Sequence, residues 1–148
     1  MKKFIVALCM MCTSMLASAS ISVHQTEQIF NKLTRANGIN AQLDFIMEGP
    51  GSLDINAYGG RGHVYVTKAM LKYADRNVMI TVLSHELAHA TGHISELEAD
   101  IYSGRIGSNA GLNVCPGAKK FLLTLGLESG DGIHPRGDVR LKAMCRKI

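Results

Sequence analysis

The sequence predicts an α+β fold in which a small antiparallel sheet packs beside a helical bundle. Three observations predict it. Apolar residues recur at helical spacing in several runs bounded by capping residues. Short stretches alternate apolar with polar residues on either side of a Gly-Pro-Gly-Ser turn. Strand patterns come early and helical ones fill the rest, with no internal repeat and no low-complexity linker.

Taken in order, residues 1–19 read as a secretory signal: Lys2-Lys3, an uncharged apolar run over 4–16, and Ala17-Ser18-Ala19 as a small-residue cleavage site. The run is shorter than the roughly 20 residues that span a bilayer. Residues 20–148 are therefore expected to form a single exported domain, periplasmic or secreted, with no stable membrane span once the signal is removed. Ile29, Phe30, Leu33 and Ala36 mark a helix stopping at Asn37-Gly38. Leu43, Phe45 and Met47 form one strand pattern and Leu53, Ile55 and Ala57 a second, and a third covers 63–66 after Gly59-Gly60-Arg61-Gly62. Helices are expected over 67–74, over a pair meeting near Gly92, and over 116–125 and 138–146.

The formal charge of +4 falls to +2 when the two signal lysines leave, and no Lys/Arg cluster with interleaved aromatics appears, so nothing points to nucleic acid. Of four cysteines, Cys9 and Cys12 lie in the signal. Cys115 and Cys145 are the one intramolecular pair left, either bridged or as two buried thiols. A bridge would contribute about 3.5 kcal/mol in the chain-entropy picture.

The chemistry centres on His85-Glu86-Leu87-Ala88-His89. Two histidines four apart on a helix share a face and can grip one zinc ion, with Glu86 beside a metal-bound water. Val78 and Val82 continue the spacing of the two histidines, Asn77 or Asp75 can cap the start, and Thr91-Gly92 supplies a stop. A second helix follows at once: Ser95 with Glu98 reads as a capping box, and Leu97, Ile101 and Ile106 form its apolar stripe. Antiparallel pairing about Gly92-His93 sets His89 opposite Glu96 and His85 opposite Asp100. Glu96 would then complete two histidines and a carboxylate around the ion, leaving a fourth position open, while Asp100 accepts an imidazole N–H. His93 is the alternative third ligand. It would lie about 12 Å along the axis from His85 were the helix continuous, so it depends on the Gly92 turn. Gly92 also sits where metzincins carry a glycine, but their third-histidine position holds Ser95. With an open position, the water's pKa falls from 15.7 to about 7. Glu86 would take its proton during attack on a peptide carbonyl and return it to the leaving amine.

Beyond these residues the chain resembles the gluzincin zinc metallopeptidases of the HtpX, BepA and CAAX prenyl protease type. Glu96-Leu97-Glu98-Ala99-Asp100 has the form of that family's Glu-x-x-Ala-Asp motif. Asn56-Ala57, a glycine turn, and Val64-Tyr65-Val66-Thr67 are similar to its Asn-Ala and edge strand, and His134-Pro135 with Arg140 to its His-Pro-x-x-x-x-Arg. The resemblance implies a zincin-like fold and one Zn2+ per chain held by His85, His89 and Glu96. Glu86 becomes the base and Asp100 the outer partner of a ligand. It further implies Asn56 and His134 as donors to the oxyanion of the tetrahedral intermediate, and the 63–66 strand as the edge along which a polypeptide substrate lies extended. His134 is alternatively an inhibitory ligand at the open metal position. The chain departs from the family in having only 90–95 between the second histidine and the glutamate, where a longer segment is usual.

Two other readings stand beside a zinc endopeptidase: a proteolytically silent metal-binding chaperone or interaction module, and a structural domain stabilised by its histidines. Glu86, Glu96 and Asp100 together favour the enzyme, because a silent module needs no base and a structural zinc closes its fourth position. His24 and His63 are expected at the surface or in local hydrogen bonds, and Arg140 in a pair with a helix-end carbonyl or a carboxylate.

Overall fold

A computed structural model describes residues 20–46, 57–124 and 135–146. The signal segment, Leu53 and Ile55 of the second strand pattern, Asn56 and His134 lie outside them.

α1 spans Val23–Asn37. Its start is fixed by a capping box: Gln25 N–H donates to Ser22 Oγ, and Ser22 N–H donates to Gln25 Oε1, both at 3.1 Å. Gly38, at φ 62°, ends it in the left-handed conformation that the Asn-Gly pair predicts. Three strands follow: β1 (Gln42–Ile46), β2 (Ala57–Gly60) and β3 (His63–Thr67). Then come α2 (Lys68–Tyr73), α3 (Arg76–Ala90), α4 (Glu96–Asn109), α5 (Cys115–Thr124) and α6 (Gly137–Met144). Thr67 ends β3 and caps α2, its Oγ1 accepting from Met70 N–H at 3.1 Å.

The sheet order is β1-β3-β2, which corrects two expectations. β1 runs parallel to β3 and β2 antiparallel to it, so the sheet is mixed. β3 is therefore the central strand: its 63–66 stretch is hydrogen-bonded on both sides and offers no edge to a substrate. Local alternation marks a strand but carries no information about a partner that returns from across the sheet. Among the described residues, the outer strand that lies on α3 is β2.

α3 is the hub. Eleven of its fifteen residues are buried, as expected of a helix covered on every side. Leu83 and Leu87 are fully enclosed, each worth about 1.5–3 kcal/mol of burial. Val64 and Val66 of β3 and Leu33 of α1 join the same core. β2 approaches so closely that a Cβ on Gly59 would collide with the backbone carbonyl of Glu86. Glycine is what allows that contact. Among the described residues, no helix is long and apolar enough to cross a membrane.

Candidate metal centre

Asp75 caps α3, its carboxylate accepting from Val78 N–H at 2.9 Å and pairing with Lys120 of α5 at 2.6 Å. At the other end Gly92, at φ 104°, closes a Schellman turn: its N–H donates to the His89 carbonyl at 3.0 Å and His93 N–H to the Ala88 carbonyl at 3.1 Å. The chain reverses, and Ser95 Oγ accepts from Glu98 N–H at 3.2 Å to start α4. That bond is the Ser95 half of the expected capping box.

This reversal brings three side chains together. His85 Nε2 and His89 Nε2 are 3.1 Å apart, Glu96 Oε2 is 3.3 Å from the first, and Glu96 Oε1 is 3.4 Å from the second. For metal–ligand distances near 2.0–2.1 Å the edge of a tetrahedron is about 3.3–3.4 Å, so the donor set fits one small divalent ion. Among the described residues it is the group of His, Cys, Asp or Glu placed to hold one. Three donors leave a tetrahedron one vertex short.

The ring nitrogens turned away from this point are held from outside. His89 Nδ1–H donates to the His93 carbonyl at 2.7 Å, which fixes the tautomer that leaves the Nε2 lone pair for a metal. His93 thus contributes its backbone, while its ring stacks on Tyr102. His85 Nδ1 lies 2.9 Å from Asp100 Oδ1, at ion-pair distance but without the alignment of a full hydrogen bond.

Asp100 is fully buried and accepts a bidentate pair from Arg140 of α6: Nε to Oδ2 at 2.8 Å and Nη2 to Oδ1 at 2.9 Å. The same Nη2 lies 3.2 Å from Glu96 Oε2. Of the two partners expected for Arg140, a helix-end carbonyl or a carboxylate, the fold supplies the carboxylate of Asp100, and with it carries the guanidinium into the centre. The available signal is the helical spacing of Arg140 with Gly137 and Met144, both buried. A charged residue on the inward stripe of a short helix implies a buried acid opposite.

The electrostatics follow. Burial opposes charge on His85, but Asp100 and Glu96 outweigh it and raise its pKa to about 9. Hydrogen bonding to Glu96 raises His89 against its burial, and the two imidazoles in turn hold Glu96 well below the usual carboxylate range. Burial pushes Glu86 up to about 7, with His85 and His89 opposing. A carboxyl poised near neutrality is suited to exchanging a proton.

Two imidazoles from one helix and a carboxylate from the next could hold one metal ion, and the carboxyl between the histidines stands apart from them, the class of arrangement that hydrolytic metal sites use. Residues 20–97 match the model of peptidase family M48, and the chain belongs to that family. Neither the curated proteins nor the solved structures contain a match to it. The matched segment ends one residue after Glu96, so Asp100 and Arg140 lie beyond it.

Proposed function

We propose that the protein is an exported zinc endopeptidase acting on unfolded or misassembled polypeptides. The observation that carries the reading is the convergence of His85, His89 and Glu96 at tetrahedral-edge spacing, with Glu86 on the same helix but not among the three donors. Family membership supports the peptidase chemistry, and the Cys115–Cys145 disulfide is in keeping with an oxidising compartment.

Bound zinc supplies Lewis acidity to a water and to the scissile carbonyl. His85, His89 and Glu96 would hold it, with Asp100 beside the His85 ring and the His93 carbonyl on the His89 ring. Glu86 accepts the water proton and passes it to the departing amine. β2, the outer strand seated on α3 at Glu86, is the element along which an extended substrate lies. Asn56, one residue before β2, and His134, six before Arg140, take the oxyanion roles that the family pattern gives them.

The test is cleavage of an unfolded, fluorescently labelled polypeptide by the zinc-loaded protein. Cleavage is expected to stop on chelation and to fall about 10²–10⁴-fold in Glu86→Gln, with zinc content unchanged. Undiminished cleavage by Glu86→Gln would refute the mechanism.

A further inference from the structure

We propose that Arg140 is a positioning residue for the metal-binding trio, and that the Cys115–Cys145 disulfide is the staple that keeps it there. The inference rests on reading His85, His89 and Glu96 as a metal centre, and extends it to residues beyond the matched segment 20–97.

Arg140 is only 4% exposed. One guanidinium meets both oxygens of Asp100, at 2.8 and 2.9 Å, and through Nη2 also stands 3.2 Å from Glu96 Oε2 and 3.5 Å from His85 Nε2. It therefore orients the carboxylate behind His85 and the carboxylate offered to the ion at once. A planar fork with several donors can do this; a single ammonium cannot.

α6 is poorly equipped to hold that side chain alone. It has eight residues and no side-chain hydrogen bond at its N-cap, and a helix so short is not stable on propensity alone. Its far end is instead tied down. Cys145, the C-cap, is bonded to Cys115, the first residue of α5, with Cα atoms 5.3 Å apart. The start of α5 is in turn fixed to α3. Thr81 Oγ1 donates to the Val114 carbonyl at 2.6 Å, and Gly117 lies so close that a Cβ there would strike the Asn77 carbonyl. On its other side α6 rests on Gly104 of α4, where an added Cβ would come within 2.7 Å of the Met144 carbonyl. A closed path thus runs from the histidine helix through α5 and the disulfide to α6, and back through Arg140 to the donors. The bridge lies five residues from Arg140, about 7.5 Å along the helix.

The test compares wild type, Arg140→Lys, the bridge-free pair Cys115→Ser/Cys145→Ser, and all three changes together. Zinc affinity is measured by chelator competition, the visible spectrum of the cobalt-substituted site reports geometry, and amide exchange reports α6 in the metal-free protein. Arg140→Lys is expected to weaken zinc about 10–100-fold and alter the cobalt spectrum, the range that outer-shell partners command. The bridge-free pair is expected to show faster exchange across α6 and a loss of affinity in the same range, with the triple variant no worse than Arg140→Lys. Wild-type affinity and spectrum in Arg140→Lys would overturn the proposal. So would a bridge effect that adds in full to that of Arg140→Lys, since the disulfide would then act elsewhere. Should Arg140→Lys fail to fold, the bridge-free pair decides: unchanged zinc affinity despite a loosened α6 overturns the inference. Failure of the wild type to bind zinc at all would instead defeat the reading of the trio itself.

Discussion

α3 and α6 both deliver side chains to the same centre, but the fold holds them by different means. α3 is enclosed along almost its whole length, capped by Asp75 and closed by a Schellman turn. Its histidines are placed by a core that would exist without them. α6 is short, lacks a side-chain cap, and is fastened by a disulfide and a buried guanidinium. A helix placed by a core keeps its position when a polar partner is lost; a helix placed by its polar partners does not. Opposite responses to perturbation are therefore expected from the two regions.

Beyond the loss of catalysis in Glu86→Gln, the next most damaging change falls on the α6 side. Asp100→Ala takes away the bidentate partner of buried Arg140, leaving it only the single contact to Glu96, and is expected to cost about 3 kcal/mol, read from urea unfolding of the metal-free protein. Adding Arg140→Met removes the poorly paired charge, so the double variant should be more stable than the sum of the single losses predicts. Strict additivity would mean that the two groups are not coupled. On the α3 side, Gly59→Ala drives a methyl into the Glu86 carbonyl and is expected to cost about 1–3 kcal/mol. Because β2 moves off α3, cleavage of long polypeptides should fall while zinc content stays. Loss of the metal in Gly59→Ala would show that the core does not place the histidines independently.

The smallest effect concerns Asp75. Burial opposes ionisation of its carboxyl, but the hydrogen bond from Lys120 and the α3 backbone outweigh it and hold the pKa below 3.8. A depressed folded value means the contribution is present above the unfolded pKa and is lost as pH falls through the folded one. Asp75→Ala should cost about 1 kcal/mol at neutral pH through the lost cap. Its stability should converge on that of wild type in strong acid. The ion pair is half open to solvent and adds little. A gap that persists unchanged in acid would mean the carboxylate's charge is irrelevant.

Legibility in the sequence follows the same division. Helix period and the Gly92 stop place His85, His89 and Glu96 within one reversal of the chain, so local rules suffice to bring their atoms together. Asp100 across from His85 follows from the same pairing. The Asp100–Arg140 contact spans 40 residues and an intervening helix, and no periodicity encodes it. Strand order fails for a similar reason: Leu43 and Phe45 announce a strand, but its parallel register against Val64 and Val66 is set by a crossover. The choice between His93 and Glu96 stays open in sequence because it depends on how tightly Gly92 turns. The Schellman bonds direct the His93 carbonyl to His89 and leave its ring on Tyr102.

The decisive quantity is zinc bound per purified chain in wild type, His93→Ala and Glu96→Ala, each confirmed folded by circular dichroism. One ion per chain is expected in wild type and in His93→Ala, and a large loss in Glu96→Ala, where two imidazoles remain of three donors. Full retention of zinc by Glu96→Ala, or its loss in His93→Ala alone, would contradict the metal centre described above.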